Sequence, residues 1–125
     1  MKGLNELEEA VMEMLLAGEN PILEGLREQF ANAKFEDREL TGVGFFCYFR
    51  VPDHAKRLSA ETNFVLNDVN AEIPGLKNGA GFLLFIRNGC IQALEGYTVE
   101  EDWPETIEGF ELHYHSFPRE FEIPT

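Results

Sequence analysis

The chain has 125 residues, of which 44% are hydrophobic and 26% charged, the mixture of one soluble globular domain rather than of a disordered chain or a repeat array. Its 23 acidic residues against 10 Lys and Arg leave a net charge of −13, a surface that repels phosphate backbones and anionic lipid and so argues against nucleic acid or membrane as partners. No apolar run reaches the roughly 18 residues of a membrane span, and the opening MKGLNELEEAVMEMLLAGEN has glutamates where a secretory signal needs unbroken apolar sequence. The expectation is a single cytoplasmic domain over residues 1–125.

Taken in order, Leu4, Leu7, Val11, Met14 and Leu15 form the stripe of an amphipathic helix, with Glu6, Glu9 and Glu13 off it. Gly18 is placed to end it in the left-handed region. Asn20-Pro21 reads as the N-cap and first position of a second helix, whose stripe is Ile22, Leu23, Leu26 and Phe30 and which ends near Lys34. The short connection predicts a helical hairpin.

Beyond about residue 35 the chain reads as strand and turn. Residues 43–51 (VGFFCYFRV) are almost continuously β-branched or aromatic; residues 64–73 alternate more loosely until Pro74-Gly75. Residues 82–87 (FLLFIR) run into Asn88-Gly89, the pair favoured in a type I′ turn, and residues 90–97 are the return strand. A loop through Trp103-Pro104 leads to a last strand within 107–115 and a tail over 117–125. The pattern predicts an α+β fold: an N-terminal helical hairpin packed on a curled, mainly antiparallel sheet of five or six strands.

GVGFFCYFR (42–50) is echoed by GAGFLLFIR (79–87). Neither has the third glycine of a dinucleotide fingerprint or the Gly-Lys-Ser/Thr of a phosphate loop; both read as central strands entered through glycines. A two-residue turn at Asn88-Gly89 sets Arg87 opposite Cys90, Ile86 opposite Ile91, Leu84 opposite Ala93 and Phe82 opposite Glu95. One face then carries Phe82, Leu84, Ile86, Ile91 and Ala93 with Glu95 at its end; the other carries Leu83, Phe85 and Leu94 beside Arg87 and Gln92. Two helices cover only one such face, so the second must curl over itself or meet a partner.

Residues able to carry chemistry are few. Cys47 and Cys90 lie in apolar segments and read as reduced, interior thiols with no base beside them. No Gly-x-Ser-x-Gly elbow surrounds either serine, Ser59 or Ser116, and no catalytic constellation is recognisable. His113 and His115 share a strand face and His54 follows residues 43–51, but no His-Glu-x-x-His or cysteine pair supports a metal. No cofactor is implied. Glu95, at the end of an apolar face, is the one carboxylate placed to have a raised pKa. From Glu95 to Glu111 there is no Lys or Arg. Within that stretch Glu95, Tyr97, Glu100, Glu101, Asp102, Trp103 and Glu105 interleave carboxylates with large aromatics, a composition suited to docking a basic partner.

GAGFLLFIRNGCIQALEGYTVEEDWPE (79–105), with RELTGVGFF (38–46), resembles a family of small acidic bacterial proteins of uncharacterised function. The shared pattern is a glycine-entered apolar strand, a glycine turn and a close at Leu94, Glu95, Gly96, Tyr97, Thr98, Trp103 and Pro104. Such proteins are similar to immunity proteins, and the resemblance implies a binding protein that masks a basic partner such as a toxin; it carries over no catalytic residues. Two other classes stand beside it: a small-ligand-binding protein or minor enzyme with a pocket around Glu95, and a structural homodimer joined through the second sheet face.

Overall fold

The computed structural model describes residues 1–120 and 123. Two helices come first, α1 (Glu6–Leu15) and α2 (Pro21–Asn32). Asn5 caps α1 through a reciprocal box: its side chain accepts the Glu8 N–H, and the Glu8 carboxylate accepts the Asn5 N–H, both at 2.9 Å. Gly18, with φ of 128°, turns the chain two residues beyond the C-cap Leu16. Asn20 caps α2 by accepting the Ile22 N–H at 2.8 Å, and Pro21 follows in the first turn.

Seven strands follow: β1 (Lys34–Leu40), β2 (Gly44–Arg50), β3 (Phe64–Leu66), β4 (Val69–Glu72), β5 (Ala80–Arg87), β6 (Cys90–Thr98) and β7 (Glu111–Tyr114). All pair antiparallel in the order β1-β2-β6-β5-β4-β7, with β3 beside β4 along the same edge of β5. The α+β class is as expected; the strand count exceeds five or six for two reasons. KFEDREL forms β1, a charged edge strand whose sequence hides its apolar side but guards the edge against further pairing. Residues 64–73 split in two at Asn67-Asp68, where buried Asp68 turns inward to receive Arg119 through two bonds of 2.7 and 2.8 Å.

The tail is therefore tied down at Arg119, which also donates to the Leu15 and Ala17 carbonyls at the end of α1; residues 121, 122, 124 and 125 lie outside the described residues. No helix among the described residues is long and apolar enough to cross a membrane.

One core gathers Leu7, Val11, Met12 and Leu15 of α1, Leu23 and Leu26 of α2, and the inward side chains Phe45, Cys47, Phe82, Leu84, Ile86, Ile91 and Leu94 of the sheet. The echoed segments become β2 and β5, the two neighbours of β6. Gly44 and Gly81 both stand opposite Tyr97, for different reasons: a Cβ on Gly44 would lie 1.8 Å from the Gly96 carbonyl oxygen. A Cβ on Gly81 would lie 2.5 Å from the Tyr97 ring. On the inner side the Phe45 ring lies against Gly96 in the same way, 2.3 Å from where a Cβ would stand.

Asn88 and Gly89 have φ of 53° and 77°, the two positive values of a type I′ turn. Arg87 faces Cys90 and Ile86 faces Ile91 as expected. Beyond that pair the register slips by one: Phe85 faces Ala93, Leu84 faces Leu94, Leu83 faces Glu95 and Phe82 faces Gly96. Gln92 is the extra residue of a bulge, which corrects the expected pairings of Leu84 with Ala93 and Phe82 with Glu95. Its effect is large, because a one-residue slip exchanges faces. Leu94 moves into the core, and Glu95 moves out.

Cys47 is buried, whereas Cys90 is only half-buried at the hairpin end, a correction to its expected interior placement. Burial first, then the nearby Glu8 carboxylate, push the Cys47 thiol up to about 12. A thiol reagent at pH 8 should therefore titrate Cys90 in minutes and Cys47 only on unfolding, as resolved by mass spectrometry of the labelled peptides. Equal labelling rates would contradict this placement.

Candidate partner-binding face

The side of the sheet turned away from the core is built in cross-strand rows. Gly44, Tyr97 and Gly81 make one; Phe46, Glu95 and Leu83 the next; Tyr48, Ala93, Phe85 and Val65 the third. Phe46, Tyr48, Leu83, Phe85, Glu95 and Tyr97 are all half-buried, each shielding its neighbours without being covered itself. The Phe46 and Tyr48 rings stand stacked at 6.0 Å and 8°, and the Arg87 guanidinium lies over Phe85 at 5.3 Å. Asp37 and Glu39 of β1 face Tyr48 and Phe46, and the Tyr48 hydroxyl donates to Glu39 at 3.2 Å.

Glu95 is thus flanked directly by Phe46 and Leu83, where cross-strand Cβ atoms lie about 5 Å apart. It has no hydrogen-bond or ion-pair partner among the described residues, and desolvation by these neighbours raises its pKa. The Tyr48 phenol is raised as well, by its surroundings and then by Glu39, with Asp37 and Glu95 adding to the negative potential. A carboxyl whose folded pKa exceeds its unfolded one binds protons more tightly when folded. Its ionisation then weakens the fold as pH rises through the window between the two values. Glu95→Gln should accordingly be at least as stable as the parent at pH 7, with the difference shrinking toward pH 4, as read from urea midpoints. A less stable variant at pH 7 would show that Glu95 is held by favourable contacts instead.

The remaining residues of the acidic stretch are dispersed. Glu101 accepts the N–H groups of Lys77 and Asn78 at 2.8 and 2.9 Å, bonds that lower its pKa and tie the loop after β6 to the one before β5. Trp103 packs on the core from the helix side, its ring edge-on to Phe45 at 5.2 Å, while its backbone N–H donates to the Gly42 carbonyl at 2.9 Å. Glu100, with φ of 56°, and Asp102 and Glu105 are exposed. Only Glu95 and Tyr97 of the seven share the outer sheet face.

His113 lies on β7 opposite Asn70, His115 beyond the strand end, and His54 in the exposed turn after β2; the three histidines do not converge. Glu72, Glu111 and His113 do, offering one ligand atom each within 4.8 Å on the exposed edge formed by β4 and β7. These are the residues that could hold a divalent cation. Sequence spacing missed the set because Glu72 joins it only through the pairing of β4 with β7. A cleft of about 730 Å³ opens beside them, lined by Asn70, Glu72, Ile73, Lys77, Asn78 and Glu111 among others; Glu95 does not line it.

The apolar stripe of α1 gives no sign of Glu8, although Asn5 three residues earlier is the signal of a capping box. It is fully buried on the inner side of the sheet, gripped by Arg38. That grip serves structure and leaves the outer face untouched.

The chain matches no protein-family model, no curated protein and no solved structure.

Proposed function

We propose that this protein is a cytosolic binding protein whose outer sheet face docks a basic protein partner, as the immunity proteins it resembles mask a toxin. The two helices, read as a hairpin, serve as the rigid backing of the sheet. The observation that carries this reading is Glu95: a half-buried carboxylate with no ion-pair partner among the described residues, set among aromatic side chains, in a chain of net charge −13. Bringing a cation to it offsets the cost of its desolvation, while the surrounding rings supply buried contact area. The negative surface speeds the encounter.

A homodimer through the same face is disfavoured by charge, since it would set two copies of Glu95, Asp37 and Glu39 against each other.

Calorimetric titration with a 20-residue peptide rich in arginine and leucine tests the proposal, run at low and physiological salt. Phe46→Ser with Leu83→Ser should weaken binding by at least about tenfold at both salts, the scale of losing interface anchors. Glu100→Gln with Glu105→Gln should change only the salt-sensitive part. The opposite result, with the face variant binding as the parent does, would remove the docking face; self-association of the parent at the same concentrations would favour the homodimer.

A further inference from the structure

Resting on that reading, we propose that Glu95, with Phe46, Tyr48, Leu83, Phe85 and Tyr97 around it, is a socket for a single arginine side chain of the partner. The basis is the shape and chemistry of the three rows. Glu95 rises from the central strand β6 between Phe46 and Leu83. On one side of it along β6 stands Ala93, whose small side chain lies between Tyr48 and Phe85 and is buried among them. On the other side Tyr97 closes the end, its ring laid over Gly81.

A guanidinium suits this place better than an ammonium. Its planar fork presents two parallel N–H donors to the two carboxylate oxygens, and its flat, weakly hydrated faces pack on aromatic rings. A lysine would bring a strongly hydrated point charge against half-buried aromatic side chains. Arg87, a cation of the same face, does not fill the socket: it is held at the hairpin end over Phe85, donating to the Ile86 carbonyl at 3.0 Å and the Phe64 carbonyl at 3.5 Å. Arg87 on Phe85 shows, within the same face, the kind of stacking a second guanidinium would adopt on Phe46 and Tyr48. Asp37 and Glu39 on the neighbouring strand β1 add negative potential at Tyr48.

NMR of protein labelled at glutamate carboxyls and aromatic rings, titrated with acetyl-arginine methylamide and its lysine and citrulline counterparts, tests the socket. Citrulline keeps the shape of arginine and removes its charge. Arginine should move the Glu95 carboxyl and the Phe46 and Tyr97 ring signals saturably and lower the pH at which Glu95 titrates. Lysine should bind several-fold more weakly, and citrulline should leave all three signals in place. Glu95→Gln should abolish the arginine response. Equal responses to arginine and citrulline, or shifts shared evenly among the surface glutamates, would overturn the socket. If arginine leaves Glu95 unmoved while the arginine- and leucine-rich peptide still depends on Phe46 and Leu83, the socket is wrong and the docking face stands; if neither ligand engages the face, the docking reading falls with it.

Discussion

Gly89→Val should destabilise the protein by at least about 3 kcal/mol, from positive φ in a β-branched residue together with direct collision. Gly89 has φ of 77°, and a Cβ there would lie 2.3 Å from the Leu58 carbonyl oxygen and 2.6 Å from that of Ser59. Those atoms cannot retreat cheaply. The Leu58 N–H donates to the Gly89 carbonyl at 3.1 Å, the Gly89 N–H to the Thr62 carbonyl at 2.9 Å, and the Asn88 N–H to the Asn63 side chain at 3.0 Å. The buried amide of Gln29 on α2 completes the clasp, donating to the Gly89 carbonyl at 3.0 Å and accepting the Ile91 N–H at 2.6 Å. The turn is thus welded to the loop over residues 58–63 and to a helix. Denaturant unfolding measures the loss; a change below about 0.5 kcal/mol, the size of a neutral surface substitution, would mean the turn is misplaced.

Arg38→Met should cost a comparable amount, about 3 kcal/mol, because it strands a charge. The Glu8 carboxylate is 1% exposed and receives Nε of Arg38 at 3.0 Å and its Nη2 in a second bond. Arg38 also donates to the Gly3 carbonyl at 2.9 Å and lies over the Phe35 ring at 4.9 Å, so one side chain joins the N-terminus, α1 and β1. Its guanidinium is held above its ordinary pKa chiefly by the bond to Glu8. Removing both charges, as Glu8→Gln with Arg38→Met, should recover part of the loss, since no unpaired ion then remains in the interior. A single variant within about 0.5 kcal/mol of the parent would contradict the burial of Glu8.

The elements with local signals were legible in the sequence. Asn20-Pro21 marks the start of α2, and Asn88-Gly89 marks the hairpin together with the pairing of Ile86 and Ile91, because caps and I′ turns are decided by the few residues that form them. The bulge at Gln92 has no such mark. Both faces of the hairpin are apolar, so either register buries comparable side chains, and only contacts with α2 and β2 select between them. That one residue decides the site: without the bulge Glu95 belongs to the inner face, and with it Glu95 stands outside between Phe46 and Leu83. Trp103 misled for a related reason. An aromatic in an acidic run has the composition of a surface anchor, but the loop folds back under the sheet and delivers the ring to Phe45. The helix stripe concealed Glu8, whose burial depends on a partner thirty residues away in sequence.

The outer sheet face holds Glu95 among half-buried aromatic side chains with no hydrogen-bond or ion-pair partner among the described residues, and its occupancy by a basic protein is the point on which the proposed function rests. A photo-reactive benzoylphenylalanine placed at position 46 in the native host, with a second variant carrying it at position 22 on α2 for comparison, reports that occupancy directly. Irradiation followed by mass spectrometry should give one dominant adduct from position 46, to a basic protein through a segment containing arginine, and no corresponding adduct from position 22. An adduct to a second copy of this chain, or to an acidic protein, would contradict the account.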